Sequence, residues 1–322
     1  MLTRPASLFW IGALAATLAG CYGSSRDAPS AWIVGGPGRG PGEFYKPRAL
    51  VESEGRIYVV DMSGRIQALD LDGAHLATWR LPQIHRGFPT GLAAGPGGVI
   101  AVADTHNYVV RIYNREGEEL RAIGREGGGA GEFTYLTDVA FDASGNMYVS
   151  EHGREDRVQK FDPAGEFLLA WGKAGEAAGE FHRPQALAVN DDDMVYVADA
   201  ANHRVQVFAA DGQFVREFGS AGDASGELLY PYDLAIGPGG VIFVCEYGNN
   251  RVQAFDAEGR SLGTWGRAGN GVGELHSPWG VIWLEGVGIM VVERDSHRLQ
   301  VFPIEAKTLV GATASGGNGE AR

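Results

Sequence analysis

Cysteine is nearly absent from this chain, with Cys21 and Cys245 the two in 322 residues. A small secreted fold stapled by disulfides is therefore excluded. Positive charge is also scarce: 27 Lys and Arg stand against 40 Asp and Glu, a formal net charge of −13. That sign argues against nucleic acid or an anionic membrane surface as a partner. The apolar run from Leu8 to Ala19 is too short to cross a bilayer. No Walker loop, dinucleotide fingerprint or serine or cysteine nucleophile context occurs. The Asp191-Asp192-Asp193 run lacks the alternating spacing of a calcium loop and reads as a solvated hairpin turn.

What the chain has in quantity is glycine, 49 residues of it, and a repeat. Val195 to Phe208 reads VYVADAANHRVQVF, two apolar-alternating runs around a polar turn, hence two adjacent strands. The pattern recurs at Ile57 to Leu69, Ile100 to Tyr113, Met147 to Phe161, Ile242 to Phe255 and Ile289 to Phe302. The carboxylates opening the turns are Asp61, Asp104, Glu151, Asp199, Glu246 and Glu293, spaced 43 to 48 residues apart. A Gly-Glu-Phe/Leu loop recurs in register at Gly42, Gly131, Gly179, Gly226 and Gly273, and the second repeat lacks its copy. Each unit spells four short strands bounded by turn residues. A four-stranded sheet cannot cover both of its faces alone, whereas six packed radially can. The fold expected is all-β, a six-bladed β-propeller of four-stranded antiparallel blades over residues 31–312. Two segments compete for the last outer strand, PIEAKTLVGA after Phe302 and AWIVGG from Ala31. The amino-terminal one is favoured, clasping first and last blades.

The ends carry address signals. Arg4, the apolar run and Leu18-Ala19-Gly20-Cys21 make residues 1–20 a signal peptide. LAGC resembles the lipobox of bacterial lipoproteins. That resemblance implies an acyl anchor at Cys21, a polar tether over 21–30, and a place in the bacterial cell envelope, on the periplasmic face of the outer membrane. Residues 313–322 read as a disordered tail. Cys245 falls where sister repeats hold Ala103, Ser150 and Ala198, a small buried strand position with no base beside it.

The GxGEFxxP loop, the VYVADxxNxRVQVF hairpin and the DxxG turn together resemble the NHL repeat across nearly all of residues 31–302. The resemblance implies a six-bladed propeller whose relatives range from binding modules and sensors to a lyase, so function must come from the site. NHL-like peptidyl-hydroxyglycine lyases place zinc-ligating histidines just after the proline that opens the inner strand. The matching residues here are Arg48, Thr90, Thr137, Gln185, Tyr232 and Trp279, and none is histidine. With Asp138 and Asp233 they are expected to ring one channel mouth, either as a recognition face or as a channel plug.

The turn carboxylates are followed by arginines, as in Asp199 with Arg204, which reads as a structural ion pair rather than a metal set. The second repeat breaks the rule: Asp104 precedes His106, Asn107 and Tyr108, Val109 replaces the arginine, and Arg111 is the available substitute. Asp104, His106 and Tyr108 therefore join the candidate ligand-binding residues, the alternative being drift within the array. No catalytic residue, metal ligand or cofactor is expected. The function anticipated is a membrane-anchored, non-catalytic propeller binding an envelope protein, peptide or saccharide. The alternative is a metal-dependent hydrolase or lyase with its site at the channel mouth, as gluconolactonase-like propellers make possible.

Overall fold

The computed structural model describes residues 30–309. The signal segment, Cys21, nearly all of the tether and the 313–322 tail lie outside the described residues. No helix among the described residues is long and apolar enough to cross a membrane.

Six four-stranded antiparallel sheets follow one another along the chain. Their innermost strands are Pro47–Ser53 in blade 1, Gly91–Gly95 in blade 2, Tyr135–Phe141 in blade 3, Pro184–Val189 in blade 4, Pro231–Ile236 in blade 5 and Pro278–Leu284 in blade 6. Blade 4 shows why the sequence reads as it does. Its two middle strands, Val195–Asp199 and Arg204–Phe208, are buried at every position, because a neighbouring blade covers each face. Its outer strand, Phe214–Phe218, alternates between covered and open positions, as a rim strand should. The core is consequently not one cluster. Six buried clusters fill the six junctions between blades, such as Ala140, Tyr148, Phe181, Leu187, Val197 and Phe208 between blades 3 and 4.

The amino-terminal strand closes the ring. Trp32–Val34 pairs antiparallel with Arg298–Pro303, Trp32 opposite Val301 and Val34 opposite Leu299, and supplies the fourth strand of blade 6. Past Pro303 the chain leaves the sheet, with Ile304 and Leu309 buried against the junction of blades 5 and 6.

Two devices repeat at the junctions. The aromatic or leucine of each Gly-Glu-Phe/Leu loop (Phe44, Phe133, Phe181, Leu228, Leu275) is wholly buried, and each such side chain is worth about 1.5–3 kcal/mol of burial. The preceding glutamate folds back on its own loop, as when Glu180 Oε2 accepts from Ala177 N–H at 3.1 Å. The second device is the carboxylate–arginine pair. Asp61–Arg65, Asp104–Arg111, Glu151–Arg157, Asp199–Arg204, Glu246–Arg251 and Glu293–Arg298 all close at 2.5–2.9 Å, with the carboxylates buried. In blade 4, Arg204 and Gln206 also donate to the Glu180 carbonyl of the loop, at 3.0 and 2.7 Å. Blade 2 has no such loop and no such carbonyl. There Arg111 takes the glutamine's place in the strand and binds Asp104 and Glu119 instead.

Candidate recognition site at the channel mouth

The innermost strands enclose a channel of about 300 Å³. A second cavity of about 280 Å³ shares Arg48, Thr90, Thr137, Gln185 and Trp279 with it and is walled by His106 as well. The inner-strand residues expected at one mouth are brought together there, Tyr232 and Asp233 among the channel residues. Arg48, Gln185, Tyr232 and Trp279 converge because each directly follows the proline that opens its strand, and Thr90 and Thr137 hold the equivalent places in blades 2 and 3.

Their chemistry differs from blade to blade. Thr90 and Thr137 line the wall, but their hydroxyls are already committed. Thr90 Oγ1 meets Thr105 Oγ1 at 2.7 Å and donates to the Leu136 carbonyl at 3.1 Å. Thr137 Oγ1 meets Ser150 Oγ at 2.7 Å and donates to the Pro184 carbonyl at 2.6 Å. Both are cross-blade ties, so the threonines bound the site without offering a free donor. On the opposite side, the Trp279 ring meets Tyr232 edge-on at 4.8 Å, and Tyr232 stacks on Tyr247 at 4.7 Å. Arg48 and Arg294 lie over Trp279 with their guanidinium carbons 4.8 and 4.9 Å from the ring centre, and Arg183 lies 5.5 Å from that of Tyr232. Burial, with Arg294 and Arg183 alongside, pulls Arg48 down to about 10.

Sequence reasoning missed Arg183, Arg294, His152 and Tyr135. Arg183 and Tyr135 share one register position before or at the inner strand, which was a usable signal. Arg294 directly follows the turn carboxylate Glu293, the place that Thr105 and His152 hold after Asp104 and Glu151, and that shared register was a usable signal as well. Tyr135 lies between His106 and His152, at 5.6 and 5.7 Å, and Tyr108 touches it at 6.4 Å. Burial and the adjacent Arg183 push His152 below the ordinary histidine value.

Of the second-repeat candidates, His106 reaches the mouth cavity. The Gly87 backbone lies against its ring so closely that a Cβ there would clash. Tyr108 supports Tyr135 from behind. Asp104 is not at the mouth. It is buried, holding Arg111 at 2.8 Å and Asn107 at 2.9 Å, and belongs with the five other turn carboxylates. The correction has a plain cause: the hairpin that carries Asp104 points it into the blade, where its charge needs a guanidinium.

Below the mouth, Asp138 and Asp233 face the channel from blades 3 and 5. Asp138 Oδ2 accepts from Leu187 N–H at 2.9 Å and Asp233 Oδ2 from Val281 N–H at 2.8 Å, each from the next blade. Burial raises Asp138 well above the carboxylate range, with Asp233 adding to it, and burial lifts Asp233 to about 7. Among the described residues no three His, Cys, Asp or Glu side chains converge as a metal-binding group. The charges nearest the mouth are the guanidiniums of Arg48, Arg183 and Arg294. The repeat-equivalent histidines are ties as well: His203 Nδ1 accepts from Tyr230 N–H and His297 Nδ1 from Lys46 N–H, both at 3.1 Å.

Residues 48–269, over two thirds of the chain, match the SMP-30/Gluconolactonase/LRE-like region. The chain belongs to that family. A shorter stretch is 33% identical over 127 residues to the peptidylglycine alpha-amidating monooxygenases of Rattus norvegicus and Mus musculus. It covers 36% of this chain and 13% of those much longer relatives. Among solved structures, a protein of unknown function from Bacteroides thetaiotaomicron superposes with a TM-score of 0.67 at 14% identity, over 86% of this chain and 76% of its own. A streptogramin B lyase superposes with a TM-score of 0.63 at 12% identity, over 86% and 98%. Virginiamycin B lyase from Staphylococcus aureus gives 0.58 at 12% identity, over 81% and 95%. At such identities these likenesses speak for the fold, the family's six-bladed propeller.

Proposed function

We propose that this family member is a non-catalytic recognition propeller of the NHL type, anchored through Cys21 in the bacterial envelope and binding an envelope protein, peptide or saccharide at the channel mouth. One observation carries it: scaffold positions recur in blade after blade, blade 2 apart, whereas Arg48, Gln185, Tyr232 and Trp279, one per blade at equivalent places, differ and share one cavity. Repetition is what a ring needs for closure, and divergence at the axis is what a single asymmetric ligand needs. Aromatic and arginine side chains are also those that dominate recognition energetics. The metal-dependent hydrolase or lyase alternative lacks its ligand set among the described residues.

The test probes peptide and glycan arrays with the full chain and with Trp279→Ala, beside a metal analysis of untagged protein. The expected result is retention on at least one array class, lost in the variant, with far less than one equivalent of zinc or calcium. Blank arrays, equal retention by both proteins, or a full equivalent of metal would each overturn the proposal.

A further inference from the structure

Arginine is used in two opposed ways in this propeller. The six blade arginines each hold a buried carboxylate at 2.5–2.9 Å. Arg48, Arg183 and Arg294 gather around Trp279 and Tyr232 without that compensation. The Nε atoms of Arg48 and Arg294 are buried and have no hydrogen-bond partner. Arg294 reaches a carboxylate only at 3.9 Å, that of its sequence neighbour Asp295. Arg183 Nε donates to Gln185 Oε1 at 3.2 Å, a neutral acceptor. The aromatic rings fix where the guanidiniums stand, but a ring quadrupole does not neutralise a charge.

This grouping works against folding. Like charges held together repel, and shielded donors without partners lose their hydration. The chain has 40 acidic residues and a net charge of −13, so an acid to pair with these arginines was not in short supply. Leaving three cations bare at one concave spot is what a site for an anion requires, because the missing partner then arrives with the ligand. Guanidinium is the side chain whose planar donor fork matches a carboxylate bidentately. Beside it, Trp279 lines the mouth cavity and offers a wall for an apolar or ring-shaped body, with Tyr232 edge-on to it in the channel wall. The mouth cavity, at about 280 Å³, admits a sugar or one terminal residue of a chain rather than a folded surface.

We infer that the channel mouth binds an organic carboxylate, its oxygens taken by Arg48 and Arg183 with Arg294 adding positive charge across Trp279, and its adjoining body packed on Trp279. The inference rests on the recognition reading and narrows it to acidic ligands. Two sources present this chemistry, a sugar acid and the free carboxyl end of a peptide, and the probes separate them.

The experiment is calorimetric titration of the detergent-solubilised full chain with a hexuronic acid and with N-acetyl-phenylalanine. Each is compared with its uncharged amide, and inorganic phosphate is run alongside. One acid is expected to bind at least about tenfold tighter than its amide, and less tightly as salt is raised. Arg48→Gln combined with Arg294→Gln should weaken that acid by about tenfold or more, while the exposed Arg267→Gln leaves it unchanged. Thermal unfolding without ligand guards against a trivial loss: the double variant should melt no lower than the parent, since a repulsion has been removed. Equal binding of acid and amide, phosphate binding tighter than both acids, no heat from either acid up to about 10 mM, or a lower melting point in the double variant would each overturn the inference. Should Trp279→Ala still abolish array binding while acid and amide bind alike, the recognition reading stands and the carboxylate falls alone. Blank arrays remove both.

Discussion

Arg204 spans two strands and a loop with one side chain. It holds Asp199 at 2.9 Å and Glu217 at 2.9 Å, and donates to the carbonyls of Ala177 and Glu180. Asp199 is fully buried, and its remaining donors are His182 N–H and the Asn202 and Gln206 side-chain amides. Replacing Arg204 by alanine strands a buried carboxylate, an expected cost of about 3–5 kcal/mol. Urea unfolding of Arg204→Ala against the parent measures it, and a change too small to resolve would mean that the pair contributes nothing. Single residues in this fold thus fall into two kinds, those whose charge is met within the blade and the mouth arginines, whose charge is not.

At the scale of an element, the strand Trp32–Val34 is the clearest case of a few residues with a large structural effect. Three residues pair with blade 6, and Val34 alone is buried, in the cluster that joins blade 6 to blade 1 beside Phe44 and Ile57. Val34→Asp puts an unpaired carboxylate into that junction, with an expected loss of about 2–4 kcal/mol. For a chain of this length the melting midpoint should fall by roughly 5–10 °C. Ile33→Asp, at an open position of the same strand, is the control that should melt near the parent. Element-level departures also explain one another. Blade 2 lost its Gly-Glu-Phe loop, so its strand lost the glutamine that would bind the loop carbonyl, and Arg111 now satisfies Asp104. Leu81 and Ile84 pack at the junction instead. At Val109 the usual arginine is missing, and Arg111 meets Asp104 in its place.

The channel belongs to the whole molecule, since Asp138 and Asp233 reach it from blades that only ring closure brings together. Burial raises both carboxyls, Asp233 to about 7. The folded protein therefore keeps protons that the unfolded chain releases above about pH 4. Their contribution to stability is complete below about pH 4 and is lost as pH rises through about 7. Asp233→Asn keeps an acceptor for Val281 N–H and carries no charge at any pH. Relative to this variant, the parent should lose about 2–3 kcal/mol between pH 5 and pH 8, read from urea unfolding at both. Parallel behaviour of the two proteins would show that Asp233 does not titrate in this window.

The period of 43 to 48 residues, the alternating strands and the turn carboxylates with their arginines were enough for blade number, strand order and the structural role of the ion pairs. Those are local relations: a strand's pattern, a hairpin's turn and a pairing five residues apart are written where they act. The same period put Arg48, Gln185, Tyr232 and Trp279 at one register, so part of the mouth was legible as well. What only the tertiary structure decided is which charges are left unmet there. Arg48 comes from blade 1, Arg183 from the loop entering blade 4 and Arg294 from a hairpin of blade 6. Nothing in the spacing of a sequence says that Arg48 and Arg294 will meet over one tryptophan with Arg183 over the tyrosine beside it. Whether a guanidinium is paired depends on the groups within a few ångströms of it in space, and in a closed ring those come from segments up to the full length of the chain apart.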